Sequence, residues 1–397
     1  MSCNSDLKNN GMGSGSSNQI TDTTRPGLSG PRLSDAAGAA PAGPAADAAA
    51  AKIGSASASA ERAGALGDKG PDGKINTKLR GGARIMYDLR QVGERTWYVF
   101  CHDIFGFYQL NETDVCMIDA GWSDEAGHFA QKVLEEKGWN LKFILNTHTH
   151  IDHLGGNRVL MEKWGCPAYA TRIDRVFAEY EVLEPSYMFG GRPSKEVQEA
   201  FMHPGKLGWR DLEDFGELCP DYNRGFNAWL QEQYGTEVGL EIVERPGHTF
   251  GMVGVKTSDD VWFVSDALLN RRALEKYPFG YLIDVESYLS TLDFLKTLSG
   301  SYYILAHGRD AGPDISELID ANIANIQRHI SFIKESCRGG KNFDLVVRDV
   351  FMEYGIKCNE IQYTLIGSAV RCFLTYLQDR GELECYADDG LIKWRTV

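Results

Sequence analysis

Between Asn146 and His153 the chain reads Asn-Thr-His-Thr-His-Ile-Asp-His, which brings His148, His150, Asp152 and His153 within six residues. Imidazole nitrogens and carboxylate oxygens are the ligand types that zinc takes. The apolar run 142–145 predicts a strand entering this motif, and alternate residues of an extended segment point the same way. His148 and His150 can therefore grip one metal ion together, while the turn beyond swings Asp152 and His153 toward a second. A lone histidine is ordinarily a core or surface residue. Four ligand-type residues at this spacing are poorly explained as a chance polar loop.

Three more candidates stand where predicted strands end. His248 lies in Arg245-Pro-Gly-His-Thr249, a tight turn after an apolar strand; Asp266 closes Val261-Trp-Phe-Val-Ser-Asp266; His307 closes Tyr302-Tyr-Ile-Leu-Ala-His307. Strand-end rims are where sites are commonly built. The other histidines, His102, His128, His203 and His329, read as structural or surface residues, His329 as a helix-surface one.

The elements that must hold these residues begin at Arg84. Short runs rich in β-branched and aromatic residues, 84–89, 96–100, 105–110 and 114–118, alternate with Gly-, Asn- and Asp-rich connections and predict an antiparallel meander. A helix follows Ser123, then strands and helices alternate, predicting a layered α/β or α+β sheet protein. Residues 171–235 break that alternation and read as a mostly helical or irregular insertion, with 7 basic and 12 acidic residues. Its aromatics, Tyr187, Trp209, Phe226 and Trp229 among them, can form a core of their own or the apolar inner face of a lid over the metal cleft. Strands resume at 238–243, 253–256, 261–264 and 302–305. Beyond Pro313, Ile319, Ile323, Ile326, Ile330 and Ile333 mark a helix. Helices over 344–354 and 361–379, then a hairpin around Asp388-Asp389-Gly390, complete a winged-helix pattern. The expected organisation is a disordered tail over 1–83, a catalytic domain over 84–312 and a C-terminal module over 313–397.

Composition narrows the function classes. No Phe, Tyr or Trp precedes Tyr87, and the first 80 residues are crowded with Ala, Gly and Ser, too little apolar surface to offset the entropy of ordering. The net charge is −14, and the remainder after residue 80 stands at −16, which disfavours nucleic acid as a partner. No apolar run spans a membrane. The nine cysteines are scattered with no C-x-x-C pair, the pattern of reduced thiols in a cytoplasmic-type compartment.

The order H-x-H-x-D-H, P-G-H-T, S-D after a strand, and H-G after a strand resembles the metallo-β-lactamase fold superfamily, as does Val115-Cys-Met-Ile-Asp119-Ala-Gly121. The resemblance implies a four-layer αβ/βα sandwich with two metal ions at one strand-end edge, most naturally zinc, with iron or manganese as alternatives. It implies that His148, His150 and His248 hold one ion and Asp152, His153 and His307 the other. Asp266 would bridge them, and Asp119 would be a supporting carboxylate. Asp at position 266 rather than Cys points to the glyoxalase II and β-lactamase-like endoribonuclease branch. The expected chemistry is hydrolysis by a bridging hydroxide, with Asp152 relaying the proton. A thioester or lactone is the preferred small-molecule substrate class, because the surroundings are acidic and the lid apolar. A phosphodiesterase or ribonuclease and a non-catalytic metal-binding scaffold are the alternatives. For the C-terminal module, with 8 basic and 9 acidic residues over 338–397, homodimerisation or packing is expected over nucleic-acid binding.

Overall fold

The computed structural model describes residues 68–69, 75–78, 84–100, 104–180, 182–201, 208–217, 222–308 and 312–397. The strands β1 (Asp68–Lys69), β2 (Ile75–Lys78), β3 (Arg84–Gln91), β4 (Thr96–Phe100), β5 (Phe105–Gln109) and β6 (Asp114–Ile118) form the meander. Helix α1 (Asp124–Lys137) leads to β7 (Asn140–Leu145), then α2 (Ile151–Leu154), α3 (Asn157–Trp164) and β8 (Ala168–Ala170). The insertion carries α4 (Arg172–Glu179), α5 (Leu183–Phe189), α6 (Lys195–Ala200), β9 (Trp209–Asp211) and α7 (Tyr222–Tyr234). The second half begins with β10 (Leu240–Glu244), β11 (Val253–Thr257) and β12 (Val261–Ser265), followed by α8 (Arg271–Lys276), α9 (Val285–Leu295) and β13 (Tyr302–Leu305). It closes with α10 (Ser316–Ser336), β14 (Lys341–Asn342), α11 (Phe343–Glu353), α12 (Glu360–Asp379), β15 (Leu383–Asp388) and β16 (Leu391–Thr396).

Strands β1 to β9 form one mixed sheet in sequential order, antiparallel up to β6 and parallel from β6 to β9. Strands β10 to β13 form a second mixed sheet in which only β12 and β13 run parallel. The two-residue period of a strand sorts side chains between cores. On β6, Val115 and Met117 pack with Phe129 and Val133 of α1, whereas Cys116 and Ile118 join the core shared by both sheets. On β12, Val261 and Phe263 enter that shared core, while Trp262 and Val264 pack with Leu292 of α9 and Ile319 of α10. Helices thus cover the outer faces of two facing sheets. Burial of each large apolar side chain contributes about 1.5–3 kcal/mol, so this alternation fixes the register.

Four expectations change. The unstructured tail does not extend to residue 83, because β2 pairs with β3 through Ile75↔Tyr87 to Lys78↔Arg84; the tail's residues 1–67 lie outside the described ones. The insertion is not only helical or irregular, since β9 adds to the first sheet beside β8. Its aromatics do not form a separate core: Phe226 and Leu230 of α7 belong to the core between the sheets, and Trp209 to the core under α1. His329 is fully buried, bonded at Nδ1 to the Tyr354 hydroxyl (2.7 Å) and at Nε2 to Asn325 (3.1 Å). His102 and His203 lie outside the described residues, and His128 is exposed.

The C-terminal elements follow the expected order. Asp389 (φ 50°) and Gly390 (φ 73°) make the two-residue turn of the β15–β16 hairpin, whose sheet runs β14-β16-β15. Helix α12 packs against α9, α10 and α11, and also against α5 and α6 of the insertion. Among the described residues, no helix is long and apolar enough to cross a membrane.

Candidate metal centre

Parallel pairing puts the carboxyl ends of β6 and β7 at one edge, and of β12 and β13 likewise. Asp119 follows β6, the segment 146–153 follows β7, Asp266 follows β12 and His307 lies two residues beyond β13. His248 comes from the loop between β10 and β11, where Gly247 has φ +127° and a Cβ on it would stand 2.5 Å from the Tyr288 backbone. Only glycine serves there, and it is what turns His248 inward.

All seven expected ligand residues converge in two groups. In each, the ligand atoms of His148, His150 and His248, or of Asp152, His153, Asp266 and His307, lie within 4.8 Å of one another. His150 Nδ1 faces His148 Nε2 at 3.1 Å and His248 Nε2 at 2.9 Å. Asp266 reaches both groups, with Oδ2 3.2 Å from His248 Nε2 and Oδ1 3.3 Å from His307 Nε2. Asp152 Oδ2 is 3.2 Å from His307 Nε2.

Behind the ligands lies a buried network. Asp119 accepts from the Thr147 amide and hydroxyl (both 2.8 Å) and from His153 Nδ1 (2.9 Å). Ser265 Oγ lies 2.8 Å from the Thr147 hydroxyl and 3.2 Å from His148 Nδ1. Asp119 and Ser265 both hold left-handed backbone, φ 58° and 55°, a strain of about 1–3 kcal/mol each that such networks sustain at functional sites. On the other side, Glu184 of α5 puts Oε1 3.2 Å from His150 Nε2, and the Tyr281 carbonyl lies 3.2 Å from His248 Nδ1. Sequence reasoning missed Glu184, Tyr281, Thr147 and Ser265 as supports, since no local pattern ties them to the motif.

Burial, with the neighbouring imidazoles, holds His148 well below the ordinary histidine range, and burial takes His150 down to about 4. Burial works against the charged form of His153 too, but the Asp119 carboxylate overrides it and lifts that imidazole well above its usual value. Against burial, the neighbouring imidazoles of His307, His153 and His248 keep Asp266 ionised. Two of the buried atoms at this site, His153 Nε2 and Asp266 Oδ1, have no hydrogen-bond partner. Such orphans are costly unless something else meets them. Facing imidazole lone pairs, an ionised carboxylate and these orphans together fit divalent ions.

Beside His150 opens a cleft, partly open to solvent, walled by Phe177, Tyr187, Phe250, Tyr281 and Ile283. Asp174 lies in the same wall, accepting from the Thr249 hydroxyl and the Gly251 amide (2.9 and 3.0 Å), with its carboxyl pushed up by burial to about 6.

Residues 105–307 match the family model described as Metallo-beta-lactamase superfamily. An uncharacterized protein of Mycobacterium leprae is 28% identical over 161 residues, 40% of this chain and 64% of that one. A hydroxyacylglutathione hydrolase of Haemophilus influenzae is 27% identical over 159 residues, 40% of this chain and 63% of the enzyme. The chain thus spans just under two thirds of these relatives' length. The crystal structure of a beta-lactamase domain protein from Burkholderia ambifaria shares the fold, with a TM-score of 0.57 at 17% identity over 78% of this chain and 94% of that one.

Proposed function

The chain belongs to the metallo-beta-lactamase superfamily, and from that membership and its His/Asp groups we propose that it is a binuclear metal-dependent hydrolase acting on thioesters or lactones. The observation that carries the reading is Asp266, whose two oxygens face different ligand groups at 3.2 and 3.3 Å. His148, His150 and His248 would hold one ion, Asp152, His153 and His307 the other, and Asp266 both. When bound, two divalent ions, zinc by ligand type, supply Lewis acidity and a water activated near neutral pH.

The chain's own residues do the rest. Asp119 holds His153 through Nδ1, leaving Nε2 for the ligand role; Glu184 does the same for His150 through Nε2, leaving Nδ1. Against its burial, His153 and His307 hold the Asp152 carboxyl well below the usual carboxylate range. It is therefore ionised, as a ligand must be; the relay of the attacking water's proton through Oδ2 to the leaving sulfur or oxygen would come from its place beside the ions, since a lowered proton affinity makes it a weaker base. The apolar pocket beside His150 supports an acyl substrate over a phosphodiester. Likeness to hydroxyacylglutathione hydrolase supports a thioester.

The helix and hairpin order from α10 to β16 supports a winged-helix-like module. Its near balance of charge, and the packing of α12 on α5 and α6, favour a packing or dimer role over nucleic-acid binding. The buried, unpaired Cys116, Cys166 and Cys337 suit a cytoplasmic, reducing compartment. A panel of thioester, lactone, β-lactam and phosphodiester substrates with zinc-loaded protein, beside elemental analysis, tests the proposal. Two ions per chain and turnover confined to acyl substrates are expected. One ion at saturation, or phosphodiester turnover alone, would sink it.

A further inference from the structure

We propose that the pocket beside His150 seats the substrate's acyl group and selects an uncharged, apolar chain or ring over one ending in a carboxylate. This rests on the hydrolase reading above. His150 is the link: its ring belongs to the three-histidine group and also lines the pocket, so a carbonyl at the metal group points its acyl side inward.

The wall is aromatic and continuous. Phe177 meets Tyr187 edge-on at 5.8 Å, Tyr187 meets Phe250 edge-on at 5.9 Å, and the Tyr281 ring lies 5.7 Å from that of His150. Tyr187 and Phe250 remain 42% and 44% exposed, so two large rings at the mouth stay partly in water. A bound chain would cover them, and apolar burial is what rewards such contact.

Charge excludes the alternative. The pocket's lining includes the carboxylates of Asp174 and Glu184 and no Lys or Arg. Glu184 is engaged with His150, and Asp174 with Thr249 and Gly251, so neither turns away from the site. A carboxylate entering here would lose its hydration and meet like charge without a basic partner among the described residues. This chain should therefore diverge from an enzyme that recognises its substrate through an acid-bearing acyl group.

The test has one arm in turnover and one in binding. With the zinc-loaded full chain at pH 8, N-acetylcysteamine thioesters from acetyl to hexanoyl should show kcat/KM rising about threefold to fourfold per methylene. Butyryl should outrun succinyl by about tenfold or more. Tyr187→Ser combined with Phe250→Ser should flatten the climb, whereas Met352→Ser, on exposed α11 surface, should keep it. Calorimetric titration with octanamide and with suberamic acid reads the pocket without any chemistry, and octanamide should bind the tighter. A flat chain-length series with equal binding of the two amides would overturn the pocket assignment while leaving the hydrolase intact. Tight octanamide binding with no turnover of any thioester or lactone would support the pocket and overturn the proposed substrates.

Discussion

Among the described residues two places bury imidazole completely, and they differ in what the nitrogens meet. His329, in the core between the second sheet and the C-terminal helices, has both nitrogens hydrogen-bonded, to Tyr354 and Asn325. At the strand-end edge His153 is equally buried, yet its Nε2 and the neighbouring Asp266 Oδ1 have no hydrogen-bond partner. Both histidines have displaced proton affinities, His329 falling to about 3 through burial and His153 rising through Asp119. A displaced pKa therefore does not distinguish core from site. Unmet bonding capacity, several ligand atoms deep, does.

The sharpest way to break this contrast is at the shared carboxylate. Asp266→Asn should keep the fold by circular dichroism, lower metal content below two ions per chain, and cut turnover by orders of magnitude. Retention of both ions with near-normal turnover would mean another acid joins the groups. Asp119→Asn should cost about 10- to 100-fold in activity or metal affinity, because Thr147 and His153 lose a charged acceptor without a ligand being removed. Glu184→Gln keeps a hydrogen-bonding oxygen beside His150 and should cost about tenfold, read as weakened metal affinity in a chelator competition. If it matched Asp266→Asn instead, Glu184 would have to be a ligand.

Much of the site was legible because its chemistry is carried by residue type and local spacing. His148 to His153 sit on six consecutive positions, and His248, Asp266 and His307 each close an apolar run. The supports were not legible, because they act across the chain: Glu184 sits on a short helix 34 positions after His150 with no periodic signal of its own. Strand β2 was missed for a related reason. Its Ile75-Asn-Thr-Lys78 gains order from pairing with β3, not from its own hydrophobicity. His329 could have been placed correctly, since it lies three residues after Ile326 and four before Ile333, on the buried face of α10.

Acidity probes the other half of the contrast. Above pH 6.5 the His329 imidazole is neutral both folded and unfolded, so its contribution is complete. As pH falls from 6.5 toward 3, the unfolded chain binds a proton the folded one does not, and stability drops by about 1.4 kcal/mol per pH unit from this group. His329→Gln should remove that component, so that urea midpoints at pH 7 and pH 4 lie closer together than in the parent. An unchanged separation would mean His329 is protonated in the fold. The smallest effect belongs to the edge strand: a chain beginning at residue 68 should melt a few degrees above one beginning at residue 84, which has lost the pairing with β3. Equal melting would leave β2 without energetic weight.

Helix α12 rests on α5 and α6 as well as on its own module. Glu184, which steadies a ligand, therefore rides on a helix backed by residues nearly two hundred positions later in the gene. The insertion and the C-terminus form a heritable unit that recombination cannot separate freely. A homologue that exchanged one segment would have to exchange or re-fit the other, and paired substitutions between 183–200 and 360–379 are where its natural variation should record that history.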